Sequence, residues 1–135
     1  MTTAVAPQEY KVPDFQLQDC PKDIALGTDM IQGIRVVRVE GDVDIYTVQW
    51  IQILLAKQID KGHHQMVVDL SRVEYISADG LGMLVGLYSR LTKLNGDLCL
   101  VLSDKIVRIF EITNLKNLFK VLPTAAEAAE HLLAN

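Results

Sequence analysis

Val68-Asp69-Leu70-Ser71-Arg72-Val73-Glu74-Tyr75-Ile76-Ser77-Ala78-Asp79-Gly80-Leu81-Gly82-Met83-Leu84 is the stretch whose reading decides the fold. Its start continues the apolar run Met66, Val67, Val68 and Leu70, which is the pattern of a central strand covered on both faces, ending in Asp69, Ser71 and Arg72. After Val73 to Gly80 a helix follows to about Leu94, with Leu81, Leu84, Val85, Tyr88 and Leu91 on its inner face. Asn95-Gly96-Asp97 closes it, Gly96 being placed to take a left-handed conformation. The start of a helix presents free amides and a partial positive charge, so Ser77, Ala78 and Asp79 stand where an anion such as phosphate is stabilised. The plainer role for Ser77 or Asp79 is that of an N-cap. Gly80, Gly82 and Gly86 give this helix a small-residue edge that lets another backbone or a ligand come close.

Upstream, Ile24 to Met30 and Ile34 to Val39 read as two strands joined by a turn containing Gly33. The second ends at Gly41, where Asp42 and Asp44 begin a loop that reaches the same end of the sheet as Ser77. A first helix is expected over Tyr46 to Lys61: Val48, Ile51, Leu55 and Ile59 form its core stripe and Gly62 its stop. Tyr46, Trp50, Ile53 and Leu54 form a second stripe that needs a cover, whether the amino-terminal arm, a second copy in a homodimer, or a partner. Downstream come a strand over Leu98 to Leu102, a helix over Asp104 to Ile112 capped by Ser103, a short strand over Phe119 to Leu122, and a last helix over Thr124 to Leu133. Thr124 and Glu127 have the spacing of a capping box. Residues 1–23, which hold Pro7, Pro13 and Pro21, read as an extended arm with a short strand around Phe15 to Leu17; residues 24–135 form the domain.

The 135 residues suit one domain, and 50% hydrophobic content with 22% charged residues supports a packed core. A net charge of -4 without basic clusters argues against nucleic acid as a partner, and no run approaches the length of a membrane span. Cys20 and Cys99 form no close pair, and the start lacks a leader pattern, which points to the cytoplasm. His63 and His64 read as an exposed loop rather than metal ligands, and Cys99 as a small core residue. The acidic group Asp42, Asp44, Asp69 and Asp79 resembles a magnesium-binding receiver domain only weakly, because the lysine such a site needs lacks its strand-end setting at Lys105. No nucleophile has a base near it in sequence, His131 being far from Ser77, so no enzymatic activity, metal or cofactor is expected.

The Val68–Leu84 run, with Val37-Arg38-Val39-Glu40-Gly41-Asp42-Val43-Asp44 upstream, resembles the STAS domain of bacterial anti-sigma factor antagonists, of the stage II sporulation protein AA-like kind. The resemblance spans about Ile24 to Leu133. It implies an α/β fold with a four- to five-stranded mixed sheet and about four helices packed mainly on one side. It also implies binding to a serine-kinase anti-sigma factor through the loop and helix over 76–90, with phosphorylation of a loop serine ending the interaction and a cognate phosphatase restoring it. The phosphoacceptor position of that pattern is Ala78, flanked by Ser77, Asp79 and Gly80. A methyl group has no oxygen to attack phosphorus. Three readings are open: Ser77 accepts the phosphate in a shifted register; the protein binds constitutively, with Asp79 as a permanent charge; or Ala78 is an engineered substitution. Asp44 matches the acidic residue beside the phosphoacceptor and shapes the loop, while Leu81, Gly82, Met83 and Gly86 complete the expected contact surface. The alternative is a STAS regulatory or scaffold subunit of a stress-signalling or transporter complex.

Overall fold

The computed structural model describes residues 21 and 23–134. The strand expected around Phe15 to Leu17 and the thiol of Cys20 lie outside the described residues. In chain order the elements are β1 (Ile24–Ile31), β2 (Ile34–Gly41), α1 (Val48–Asp60), β3 (Gln65–Arg72), α2 (Ala78–Lys93), β4 (Asp97–Leu102), α3 (Asp104–Ile112), β5 (Lys120–Val121) and α4 (Ala125–Leu133). The strands form one sheet in sequence order; β1 runs antiparallel to β2, and the remaining pairs are parallel. The β1–β2 connection is a two-residue turn with Gln32 at φ 51° and Gly33 at φ 85°, the paired positive angles that let a tight hairpin follow the twist of its strands. Each parallel pair is joined by a helix, as parallel strands require a crossover.

Alternation along the strands divides the interior in two. Val37, Val39, Met66, Val68, Leu70, Leu98 and Leu100 face the larger core, where they meet Ile51 and Leu55 of α1, Leu84 and Leu91 of α2, and Ile106 and Phe110 of α3. Ile34, Val36, Val67, Cys99 and Val101 face the other way, against Ala128, Ala129 and Leu132 of α4. Thus Met66, Val67 and Val68 of β3 run on without a polar break because both faces are covered there, and the buried Asp69 that follows is paired with Arg38 at 3.0 Å. The five strands and four helices agree with the expected class, α4 being the helix that lies on the second face. Edge-on contact of the Phe119 ring with Tyr88 and Phe110, at centroid distances of 5.8 and 5.7 Å, ties α2 and α3 together.

Several expectations need correction. Helix α1 begins at Val48 rather than Tyr46; of the second stripe, Trp50 and Leu54 are buried, Leu54 within the larger core, Ile53 is half-buried, and Tyr46, ahead of the helix, is exposed. Adjacent Leu54 and Leu55 straddle the inward direction, so both are used. In α2, Val85 is exposed while Met83 and Leu87 are buried, because the helix turns that edge toward α1 as well as the sheet. At the end of α2, Asn95 takes the positive φ of 63°, not Gly96. Gly96 is required for space, since a Cβ there would collide with the His64 carbonyl. His63 is half-buried rather than in a solvated loop; its Nε2 lies 3.1 Å from an Arg35 guanidinium nitrogen. Desolvation, then the Arg35 charge, holds its ring below the usual histidine range. Cys99 is fully buried, and burial pushes its thiol up to about 11.

Candidate functional site at the β3–α2 junction

The chain leaves β3 at Arg72 and reaches α2 through residues 73–77, a segment pinned from both sides. Val73 and Ile76 turn inward into the larger core and leave Glu74 and Tyr75 outside. Ile76 forms an isolated parallel bridge with Val43, Val43 N donating to Tyr75 O at 2.9 Å and Ser77 N to Val43 O at 2.8 Å. This bridge brings the loop that follows β2 beside the one that follows β3, as the positions of Asp42 and Asp44 suggested.

The loop after β2 is fixed by its own side chains. Asp44 Oδ1 accepts from the amides of Tyr46 and Thr47 at 2.9 and 3.0 Å. The buried Thr47 hydroxyl donates to Asp42 O at 2.8 Å. Asp44 therefore shapes the turn into α1.

Ser77 is the N-cap of α2: its backbone is extended, and Oγ accepts from Gly80 N at 3.3 Å. The residues after it divide between interior and surface. Gly80 is buried, and a Cβ there would meet Ile76 Cγ1 at 2.6 Å and Val43 Cγ1 at 2.7 Å. Its smallness thus serves the internal bridge rather than the approach of a ligand, which corrects the expectation for this residue. Gly82 and Gly86, by contrast, have nothing within 4 Å of a built Cβ. Ala78 and Asp79 are exposed, Leu81 is half-buried, and Met83 is only 7% exposed.

Along this open edge runs a groove of about 580 Å³ between α1 and α2. Gln52 and Ala56 of α1 form one wall; Ala78, Asp79, Gly82 and Gly86 form the other, and Met83 closes the floor with Leu55, Ile59 and Leu87. Asp79 sits at the start of α2 and Arg90 near its end, the latter 3.8 Å from Asp60 of α1. Sequence reasoning found the α2 wall but not Gln52 or Ala56. Their spacing of four marks one face of α1, but nothing in it says that this face borders α2. Among the described residues no three His, Cys, Asp or Glu side chains come together to hold a metal ion, and no helix is long and apolar enough to cross a membrane.

The STAS domain model matches residues 26–128. An anti-sigma-B factor antagonist of Staphylococcus epidermidis is 36% identical over 86 residues, which cover 63% of this chain and 80% of the relative. The Staphylococcus aureus protein of that name is 37% identical over the same shares. Among solved structures, an anti-sigma factor antagonist from Mycobacterium paratuberculosis superposes with a TM-score of 0.75 at 26% identity, covering 84% of this chain and 97% of its own. Unphosphorylated SpoIIAA gives a TM-score of 0.69 at 19% identity, over 82% and 98%. The phosphorylated Bacillus SpoIIAA gives 0.62 at 21%, over 79% and 98%. At those identities, the two SpoIIAA structures speak to the fold.

Proposed function

Because the chain belongs to the STAS domain family, we propose that it is an anti-sigma factor antagonist, a non-enzymatic cytoplasmic partner that docks a serine-kinase anti-sigma factor on the β3–α2 junction and the outer edge of α2. The observation that carries this reading is the open edge itself. Ala78, Asp79, Gly82 and Gly86 line one wall of a groove beside a rigid capped loop, and at Gly82 and Gly86 no side chain holds a partner's backbone away. Asp44, Ser77 and Gly80 set the shape of that edge, while Asp79, Leu81, Gly82, Met83 and Gly86 supply the contact.

The loop has no phosphoacceptor in the expected place. Ala78 carries only a methyl group, and the neighbouring Ser77 oxygen already serves as the acceptor that starts α2. Phosphorylation at Ser77 requires a kinase to engage the loop one residue out of register and to remodel this cap. The reading is therefore a constitutive binder. Asp79 places one fixed negative charge in the first turn of α2, smaller and weaker than a phosphate. A phosphatase has no substrate at Ala78 on this account. The buried state of Trp50 and Leu54 gives no support to the homodimer surface expected through them.

Incubation with the purified serine-kinase anti-sigma factor of the native host and ATP, followed by intact-mass analysis and size-exclusion chromatography, tests both parts. The expected result is a stable complex with no added mass, weakened by Asp79→Lys. A phosphate mapped to Ser77 overturns the constitutive reading; failure to recover such a kinase under any nucleotide condition overturns the assignment.

A further inference from the structure

Ile45, Tyr46 and Tyr75 are 61%, 76% and 50% exposed, although large apolar and aromatic side chains normally supply core. All three lie on the two loops joined by the Val43–Ile76 bridge, at the end of the sheet where Ser77 starts α2. Their exposure is not that of a loose segment. The Asp44 carboxylate locks the amides of Tyr46 and Thr47, and Thr47 is itself 3% exposed and bonded to Asp42 O. A turn whose backbone is already fixed, and which holds an isoleucine and a tyrosine in water, loses only side-chain freedom when it is covered, which favours a binding hot spot. The rim is acidic on balance: Asp42 and Asp79 are exposed, and the exposed bases Arg72 and Lys105 are engaged by Glu40 at 3.3 Å and Glu74 at 3.4 Å.

We infer that Ile45, Tyr46 and Tyr75 form the apolar anchor of the docking surface, received by an apolar recess rimmed with basic side chains on the same anti-sigma factor that contacts α2. This inference rests on the functional reading above and adds to it the residues that supply affinity and the chemistry of the surface they enter. Charge complementarity selects this occupant over a second copy of the chain, whose matching surface would carry the same acidic rim. The apolar side chains give the slow dissociation; Asp42 and Asp79 speed the encounter.

The test measures association and dissociation rates between the full chain and the purified serine-kinase anti-sigma factor of the native host. The double variant Ile45→Ser with Tyr46→Ser, and separately Tyr75→Ser, are compared with Ile112→Ser, which removes a 78%-exposed isoleucine from the end of α3. Gly82→Arg serves as the probe of the α2 edge. The double variant is expected to bind roughly thirtyfold more weakly, chiefly through faster dissociation, and Tyr75→Ser about tenfold more weakly, with Ile112→Ser unchanged. Asp42→Lys is expected to slow association and flatten its dependence on salt. Wild-type affinity in both loop variants overturns the inference; if Gly82→Arg still weakens binding, the antagonist reading survives, and if it does not, both fall. Sedimentation showing that the wild type self-associates through this patch and the double variant does not also overturns it.

Discussion

Ser77 ends the loop after β3 and Ser103 the loop after β4, and each hydroxyl accepts from the amide three residues on, Gly80 N at 3.3 Å and Ile106 N at 3.4 Å. Beyond that shared cap the two junctions diverge. Ser103 also donates to the Val73 carbonyl, Lys105 pairs with Glu74, and Ile106 is fully buried, so the β4–α3 junction is spent on holding its neighbour in place. At the β3–α2 junction, glycine stands where Ile106 stands, Ala78 and Asp79 face outward, and the next turn opens onto a groove. A serine at a helix start is thus a folding device in both places. On the function proposed above, what fits one of them to receive another molecule is the run of small residues behind the cap and the exposed apolar loop beside it.

The contrast can be broken at either junction. The largest effect expected is on docking: Gly82→Arg fills the groove wall and lowers affinity for the anti-sigma factor about a hundredfold, whereas Arg108→Ser, an exposed change on α3, leaves titration calorimetry unchanged. Next, the same added methyl has opposite consequences two residues apart. Gly80→Ala drives a Cβ into Ile76 and Val43 and costs about 2 kcal/mol in urea unfolding. Gly82→Ala meets open space in a helix and stabilises by roughly 0.5–1 kcal/mol. Third, Ser103→Ala removes a cap and strands the Val73 carbonyl, for about 2 kcal/mol in the same assay, while Ser77→Ala removes a cap alone, for about 1 kcal/mol. The smallest effect on stability is that of Ala78→Ser, within about 0.5 kcal/mol because the position is exposed, yet this variant is expected to gain one phosphate from the kinase by mass spectrometry.

Much of this was legible in the sequence, and the parts that were not share a cause. The apolar run of β3 announced a strand covered on both sides, and Ser103 and Thr124 announced their helices, because those signals are local: Thr124 Oγ1 does accept from Glu127 N at 3.1 Å. Which face of α1 and α2 points inward was not local. Leu54 joined Leu55 in the core, and Met83 and Leu87 displaced Val85, because the two helices pack on each other as well as on the sheet. Asn95 and Gly96 are both able to turn left-handed, and it is the His64 carbonyl, 32 residues earlier in chain order, that reserves the glycine for close approach. The exposure of Ile45 and Tyr75 had no signal, since those residue types ordinarily mean core, whereas Tyr46 stands in the stripe that needed a cover.

The central claim is that partners meet this molecule at the β3–α2 junction and the bridged loop beside it. Amide chemical-shift mapping of the isotope-labelled chain during titration with the serine-kinase anti-sigma factor tests it most directly. The account predicts perturbations concentrated at Ile45, Tyr46, Tyr75 and residues 77–90, with little change around Ser103 or along α4. Perturbations centred on α3 and α4, with the Ser77 junction silent, would contradict it.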